Sequence, residues 1–273
     1  MSAIQDISLL NLCLSFLALL IPITGFWYFR VGLTRATLIA VARMTVQLSA
    51  VALYLEYIFE QNNPYLNSAW VVIMILVGVF TTLKRSNLNP KMLALPLIIS
   101  AVTSIVIIDA FFLGVIIRLP YVFESQYFIP ISGMILGNAM NHNIVGLNAY
   151  FEGLTKNQNL YYFLLINGHS KKQAVNPFIV QALKKALNPM IANTSVMGLI
   201  SLPGMMTGQI LGGNSPATAI RYQIMIMLAI FTGCSINLML SIILGNKTAF
   251  DRMDRISSDV IVKNPSRKQK RLK

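Results

Sequence analysis

The residues best suited to chemistry lie in an apolar stretch near the middle of the chain, at about 127–149. Asn138, His142 and Gly146 recur four residues apart and would share one stripe of a helix, with Asn141 on the neighbouring stripe. Amide and imidazole groups in hydrocarbon cost several kcal/mol each unless they are hydrogen-bonded or hydrated. Two interpretations stay open: hydrogen bonds between helices, or a hydrated path in which His142 could bind a metal ion.

A carboxylate, Asp109, lies deep in another apolar stretch. An ionisable group at such a position is a functional candidate by default and needs a partner. Arg43 is one candidate partner, although its depth indicates the opposite leaflet; pairing with asparagines and a neutral carboxyl are the alternatives. Our candidates for a transport path are Asn138, Asn141, His142 and Asp109.

Methionine is abundant, with 14 residues in 273. Several lie in or beside the apolar stretches at about 127–149 and 191–212: Met134, Met140, Met190, Met197, Met205 and Met206. Soft thioethers suit soft metals such as Cu(I), but methionine also fills irregular gaps in a core. The sequence leaves the identity of any metal unknown.

The chain contains no motif for catalysis of a familiar kind. It has no His-Glu-x-x-His, no nucleophile elbow and no Gly-x-x-x-x-Gly-Lys-Ser/Thr phosphate loop. We therefore predict a protein that is not an enzyme and holds no cofactor of its own. Any work driven by ATP needs a partner subunit that binds the nucleotide.

The composition indicates a membrane protein. Hydrophobic residues make up 55% of the chain and charged residues 11%, which is outside the range of ordinary soluble domains. The net charge of +13 would suggest nucleic acid in a soluble protein. Here the basic residues concentrate at the ends of apolar segments and near the C-terminus, which fits a lipid bilayer and excludes nucleic acid as the expected partner.

Seven apolar segments approach the length that crosses a bilayer, which predicts an all-α polytopic helical membrane protein. They are about 7–29, 37–59, 68–83, 96–117, 127–149, 191–212 and 221–244. The third is short. The fifth and sixth carry many polar and small residues, so we expect them inside the bundle.

The distribution of Lys and Arg predicts an N-terminus outside and a cytoplasmic C-terminus. Basic residues fill the loops after spans one, three and five and the region after span seven, whereas the loops 60–67 and 212–219 hold none. We expect a transmembrane permease domain over 1–247 and a basic cytoplasmic tail over 248–273. Because the tail mixes basic residues with Asp251, Asp254 and Asp259, we expect it to be solvated and partly disordered.

The one sizeable cytoplasmic connection is 150–190. Apolar residues from Phe178 to Leu187 follow a helical stripe, Pro177 suits a first turn, and Asn167–Ser170 is typical of a turn. The pattern predicts a helix–turn–helix that lies on the membrane surface, as either a docking element or a passive hairpin.

Small residues recur at four-residue spacing on two helical faces. They are Gly133 and Gly137 on one, and Gly204, Gly208 and Gly212 on the other. Such spacing lets helix backbones approach closely in lipid. We predict that these glycines are sites of helix packing.

Three stretches together resemble one family, the iron-export (Fet-type) ABC transporter permeases, which are related to the plant aluminium-tolerance permeases. The stretches are Pro130–Asn138, Leu202–Gly213, and Ser215–Pro216 with Ala219–Gln223. The resemblance implies a membrane subunit that pairs with a separate cytoplasmic ABC ATPase and dimerises. It also implies a coupling segment that contacts the ATPase, here Gly168, His169, Lys171, Lys172, Gln173 and Ala174.

From these features we expect the permease of an ABC exporter in the plasma membrane, with a role in iron or other metal homeostasis. Two rivals remain. An ion-coupled secondary transporter would use Asp109 as a proton site, and a membrane scaffold would transport nothing.

Overall fold

The computed structural model describes residues 8–200, 202–251, 253–257 and 259–262. Regular structure in this part is helical, which confirms the all-α prediction. The helices are α1 (Leu9–Ser15), a 3-10 turn (Phe16–Leu19), α2 (Leu20–Tyr28), α3 (Thr34–Gln61), α4 (Pro64–Arg85), α5 (Pro90–Asp109), a π-helical turn (Ala110–Ile116), α6 (Ser125–Lys156), α7 (Gln158–Ile166), α8 (Lys171–Ser195), α9 (Gly204–Leu211) and α10 (Pro216–Ala249).

Five stretches of the described chain are long and apolar enough to cross a membrane. They are Leu10–Tyr28, Thr34–Gln61, Pro64–Arg85, Pro90–Ile116 and Pro216–Ala249. The third is not short, as 68–83 predicted, because Asn63 caps α4 and Pro64 occupies its first position. The Asn63 side chain accepts a hydrogen bond from the Tyr65 amide at 2.9 Å, so the helix begins four residues earlier.

The predicted connection 150–190 is wrong in its boundaries. Helix α6 continues to Lys156, and α8 starts at Lys171, where Ser170 and Gln173 form a capping box. Pro177 therefore lies inside α8 and not in its first turn. Helix α8 runs antiparallel to α6: a β-carbon built on Gly153 would lie 3.5 Å from Phe178. The turn at 167–170 is confirmed, but α8 is packed along the bundle and is not a helix lying on the surface.

The predicted sixth span, 191–212, is not one helix. Helix α8 ends at Ser195, and α9 is an eight-residue helix that starts only at Gly204. Gly198 has a φ of +86°, a left-handed conformation that ends a helix readily. Pro203 then disfavours helical geometry in the residue before it. The predicted sixth span is therefore a broken helix.

The core lies among α4, α5, α6, α8 and α10, which form a five-helix bundle. Helix backbones come closest at three glycines that the sequence did not single out for packing: Gly146, Gly233 and Gly245. A β-carbon on Gly233 would lie 2.8 Å from Cγ2 of Ile135, and one on Gly146 would lie 2.6 Å from Cδ1 of Leu238. These positions allow α10 to lie directly against α5 and α6.

The glycines predicted to pack do not do so within one chain. A β-carbon on Gly137, Gly204 or Gly208 would meet nothing within 4 Å, and one on Gly133 would reach only Met74, at 3.8 Å. At Gly212 the nearest atoms belong to the preceding turn of α9. A packing role for these residues stays a prediction about contact with a second chain.

The N-terminal helices α1 to α3 lie beside the bundle with little contact. Ile58 is the one residue of α3 that is buried. The attachment is near the C-terminal end of α3, where Tyr54 packs on Trp70 at 4.2 Å and Asn62 accepts a hydrogen bond from the Ser125 amide at 2.9 Å.

The described residues after α10, within 250–262, fold back on the bundle, whereas a solvated tail was predicted. We call 250–251, 253–257 and 259–262 the C-terminal strap. Its Val260 carbonyl accepts from the Asn89 amide at 2.9 Å, and Asp254 accepts from Tyr161 through its carbonyl at 2.9 Å. Burial raises the pKa of Tyr161 to about 12. The basic residues Arg252, Lys263, Arg267, Lys268, Lys270, Arg271 and Lys273 lie outside the described residues.

Candidate functional site

The structure separates the four residues predicted to form a transport path. Asn138 and His142 line one cavity between α6 and α8. Asn141, on the neighbouring stripe of α6, is exposed and does not line this cavity, and Asp109 is buried between α5 and α6. Two of the four therefore share a site, and two do not.

We call the cavity at Asn138 and His142 the methionine cavity. It has a volume of about 410 Å³ and lies where α6, α8, α9 and α10 meet. Its methionines are Met134, Met190, Met197, Met205 and Met227, and its polar residues are Asn138, His142, Asn193 and Gln223. The break between α8 and α9 creates this space, because a continuous sixth helix would carry the chain past it.

His142 is held in a defined orientation. Its Nδ1 lies 2.7 Å from the Asn138 carbonyl oxygen. A carbonyl only accepts hydrogen bonds, so Nδ1 is the donor in this contact and Nε2 is the ring nitrogen that remains for another partner. Asn138 in turn donates to the Met134 carbonyl at 2.8 Å. The ring is thus arranged as an acceptor or a metal ligand.

Two more cavities adjoin this one. One of about 380 Å³ shares Met134 and Met205 with it and is lined by Tyr127, Gln209 and Tyr222. Another of about 740 Å³, largely apolar, shares Met197 and Met227. The three cavities are therefore neighbours, and each is lined by at least one residue of α9.

Sequence reasoning missed residues of α10. Gln223 is 7% exposed and lines the methionine cavity, and its Oε1 has no hydrogen-bond partner among the described residues. Asn237 accepts from Asn143 Nδ2 at 2.7 Å in the bundle core. Both are amide side chains within an apolar segment, which is the feature that identified Asn138. The same criterion applied to the seventh predicted span would have identified Gln223 and Asn237.

Asp109 is a buried carboxylate with one protein partner. Its Oδ2 accepts a hydrogen bond from Ser132 Oγ at 2.6 Å, and Oδ1 has no partner in the described part of the chain. Arg43 is exposed on α3 and does not pair with it. The π-helical turn starts directly after Asp109, and such turns are frequent at functional sites.

The predicted coupling segment is the apex of the α7–α8 hairpin. Gly168 has a φ of +85°, and His169 and Lys172 are exposed. Ala174 is fully buried, and the Gln173 side chain accepts from the Ser170 amide at 2.9 Å. Ala174 therefore offers no surface to a partner, and Gln173, although exposed, uses its Oε1 at the start of α8.

Lys171 of this segment is also engaged within the chain. Its Nζ lies 2.8 Å from Asp254 Oδ1 and 4.3 Å from the centre of the Phe250 ring. The apex also presents two apolar side chains that the sequence did not identify, Phe163 and Ile166, the latter 85% exposed. The exposed surface of the apex thus includes Phe163, Ile166, His169 and Lys172.

Comparison with known proteins finds one family model and several relatives. The model of the uncharacterised protein family UPF0014 matches residues 9–250. The UPF0014 membrane protein slr1647 of Synechocystis is 33% identical over 201 residues, which cover 73% of this chain and 77% of that protein. No solved structure matches.

Two relatives have names that describe a process. Protein ALUMINUM SENSITIVE 3 of Arabidopsis thaliana is 35% identical over 193 residues, 69% of this chain and 67% of that protein. "Probable iron export permease protein FetB" of Escherichia coli is 31% identical over 209 residues, 76% of this chain and 79% of that protein. These relatives confirm the resemblance inferred from the sequence.

Proposed function

Because the chain belongs to the UPF0014 family, a family of multi-pass membrane proteins, we propose that it is the membrane-spanning subunit of an ABC exporter. A separate cytoplasmic ATPase supplies the energy, and the cargo is iron or another metal. The names of the Escherichia coli and Arabidopsis relatives, iron export permease and ALUMINUM SENSITIVE 3, support a role in metal homeostasis. The plasma membrane is the proposed location.

One observation carries this proposal: α8 joins the hairpin apex to the methionine cavity without a break. The helix starts at Lys171 beside the apex, and Met190 and Asn193 near its other end line the cavity. At 1.5 Å per residue these ends are about 30 Å apart. A force applied at the apex would therefore move the cavity wall directly.

The exposed apex suits a protein partner. Phe163 and Ile166 are large apolar side chains in water, with His169 and Lys172 beside them. Exposed apolar residues with a polar rim are typical of interaction sites. ATP-driven closure of two ATPases would then tilt α6 and α8 and change access to the cavity.

The proposed topology has seven crossings, an N-terminus outside and a cytoplasmic C-terminus. It adds α6 and the broken α8–α9 element to the five apolar spans. Under this topology the hairpin apex, the loop before α5 and the C-terminal strap share the cytoplasmic side, which agrees with the hydrogen bonds that join the strap to that loop.

We also propose a homodimer. Arg43 and Gln47 lie one turn apart on α3 and are exposed in a membrane-spanning helix. Placing a charged side chain in lipid is costly. A second copy would cover this face with protein.

The test is capture of the partner. The tagged chain is pulled from its native membranes, and ATP-binding-cassette subunits are identified by mass spectrometry. Ile166→Asp should lower their recovery at least about tenfold, the ratio for about 1.4 kcal/mol. Tyr65→Asp, which changes an equally exposed residue in the first turn of α4, should not. Unchanged recovery with Ile166→Asp, or an equal loss with both variants, would contradict the coupling assignment.

A second candidate is an ion-coupled transporter, favoured by the buried Asp109 and the π-helical turn that follows it. Flux in vesicles that contain no ATPase, and that stops when the proton gradient is removed or when Asp109 is replaced by Asn, would support this candidate over the exporter.

A further inference from the structure

We propose that the methionine cavity binds a soft monovalent metal ion, Cu(I) or its analogue Ag(I), through His142 Nε2 and the Met190 thioether. The proposal adds a class of cargo to the proposed function. Only the statement that the ion is transported rests on that function. Binding itself is a property of this chain alone.

The first support is the state of His142. Its Nδ1–H donates to the Asn138 carbonyl at 2.7 Å, which is how ligating histidines are commonly oriented. Nε2 is then the ring nitrogen left to act as a ligand, and His142 lines the cavity. Imidazole nitrogen is a good ligand for copper.

The second support is the position of Met190. Gly146 and Ala186 approach closely, since a β-carbon on Gly146 would lie 3.3 Å from the Ala186 Cβ. His142 lies one helical turn before Gly146 in α6, and Met190 lies one helical turn after Ala186 in α8. Because the helices are antiparallel, these two side chains lie at the same level of the cavity.

The third support is that the methionines do not fill the space. Methionine usually occupies irregular gaps in a core, yet about 410 Å³ remains among five thioethers from α6, α8, α9, α10 and the segment between α8 and α9. Met134, Met205 and Met227 would offer further soft donors to an ion that leaves the His142 end.

The donor chemistry also selects the class of ion. Hard cations such as Mg²⁺ and Ca²⁺ prefer carboxylate oxygens, and none lines this cavity. Among the described residues no three of His, Cys, Asp and Glu form a metal-binding group. A neutral site of thioethers and one imidazole suits a soft ion of single charge.

The experiment is competition for Cu(I) between the purified chain in detergent and the chromophoric chelator bicinchoninate, under ascorbate. The wild-type protein should take about one Cu(I) ion per chain from the chelator. His142→Leu and Met190→Leu should each weaken binding at least about tenfold, since loss of even an indirect ligand partner costs about 10–100-fold.

The chain offers matched controls. His169→Leu removes the other histidine of the chain, at the exposed apex, and Met44→Leu removes an exposed methionine of α3. Both variants should bind Cu(I) as tightly as the wild type does. Met190→Leu nearly conserves volume and keeps the test valid if His142→Leu does not fold. Copper X-ray absorption should show sulfur and nitrogen neighbours.

Three outcomes would overturn the proposal: no Cu(I) removed from the chelator, equal weakening by the control variants, or a copper spectrum without sulfur. None of these depends on an ATPase. Capture of the ATPase through Ile166 can succeed while copper binding fails, so the two proposals fail separately.

Discussion

The five-helix bundle and the N-terminal helices α1 to α3 handle polar residues in opposite ways. In the bundle, several buried polar groups find partners inside the chain: Ser104 donates to the Gly233 carbonyl at 2.8 Å, and Asn143 donates to Asn237 at 2.7 Å. On α3, Arg43 and Gln47 are exposed. The bundle therefore satisfies many of its polar groups within one chain, whereas α3 leaves these two without cover.

The difference indicates that the bundle provides most of the stability of the chain, whereas α1 to α3 are suited to contact with other proteins. In lipid, helices associate by close packing and interhelical hydrogen bonds, and the bundle has both at Gly146, Gly233 and Asn143. Helices α1 to α3 lack them over most of their length, as Ile58 alone is buried in α3. Changes in the bundle should therefore alter folding, and changes outside it should alter assembly.

The largest effect is expected for Gly233→Leu. A β-carbon there already meets Ile135 at 2.8 Å and Ile108 at 3.5 Å, so the larger side chain must push α10 away from α5 and α6. Overpacking of this kind costs about 1–3 kcal/mol or more. Thermal unfolding of the detergent-purified protein should show a clear drop in Tm, and a Tm equal to that of the wild type would refute the close approach.

A smaller effect is expected for Asn143→Leu, which leaves Asn237 without its strongest partner. Interhelical hydrogen bonds in membranes contribute about 0.6–2 kcal/mol. The control is Asn141→Leu on the same helix, whose side chain is exposed. Equal losses of unfolding free energy in both variants would show that the bundle does not depend on its internal amides.

The sequence predicted the helical class, the turn at 167–170 and the shared stripe of Asn138 and His142, because four-residue periodicity and glycine turns are local. Sequence reasoning failed for features that depend on contacts between residues far apart in the chain. Nothing local shows that Gly146 contacts Leu238 while Gly208 faces open space. The sixth span looked continuous because its apolar content hides the break that Gly198 and Pro203 impose.

Near-zero loss of stability is expected for Gly208→Leu, because a β-carbon there meets nothing within 4 Å, and surface changes stay within about 0.5 kcal/mol. If the glycine face of α9 packs on a second copy, the same variant should lose the dimer in nanodiscs measured by mass photometry. Gly25→Leu, also open, is the matched control. A dimer that persists with Gly208→Leu would remove α9 from the interface.

The smallest effect is a pH dependence of the C-terminal strap. Asp251 accepts hydrogen bonds from the backbone amides of Arg255 and Met253, each at 2.8 Å, and these bonds, that from Arg255 first, lower the pKa of its carboxyl group. A lowered pKa in the folded state means that the carboxylate stabilises the strap above the ordinary aspartate value of about 4. This contribution is lost as the pH falls through the lower, folded value.

Hydrogen exchange, corrected for the intrinsic effect of pH, should therefore speed up at the Met253 and Arg255 amides as the pH is lowered from 6 to about 3, where an ordinary aspartate is mostly protonated. The Ala174 amide, in the first turn of α8, should keep its protection over the same range. Asp251→Asn should abolish the pH dependence, since an amide oxygen still accepts hydrogen bonds but does not titrate. If exchange at α8 rises together with exchange at the strap, the bundle is loosening as a whole, and the strap is not a separate unit at this end of it.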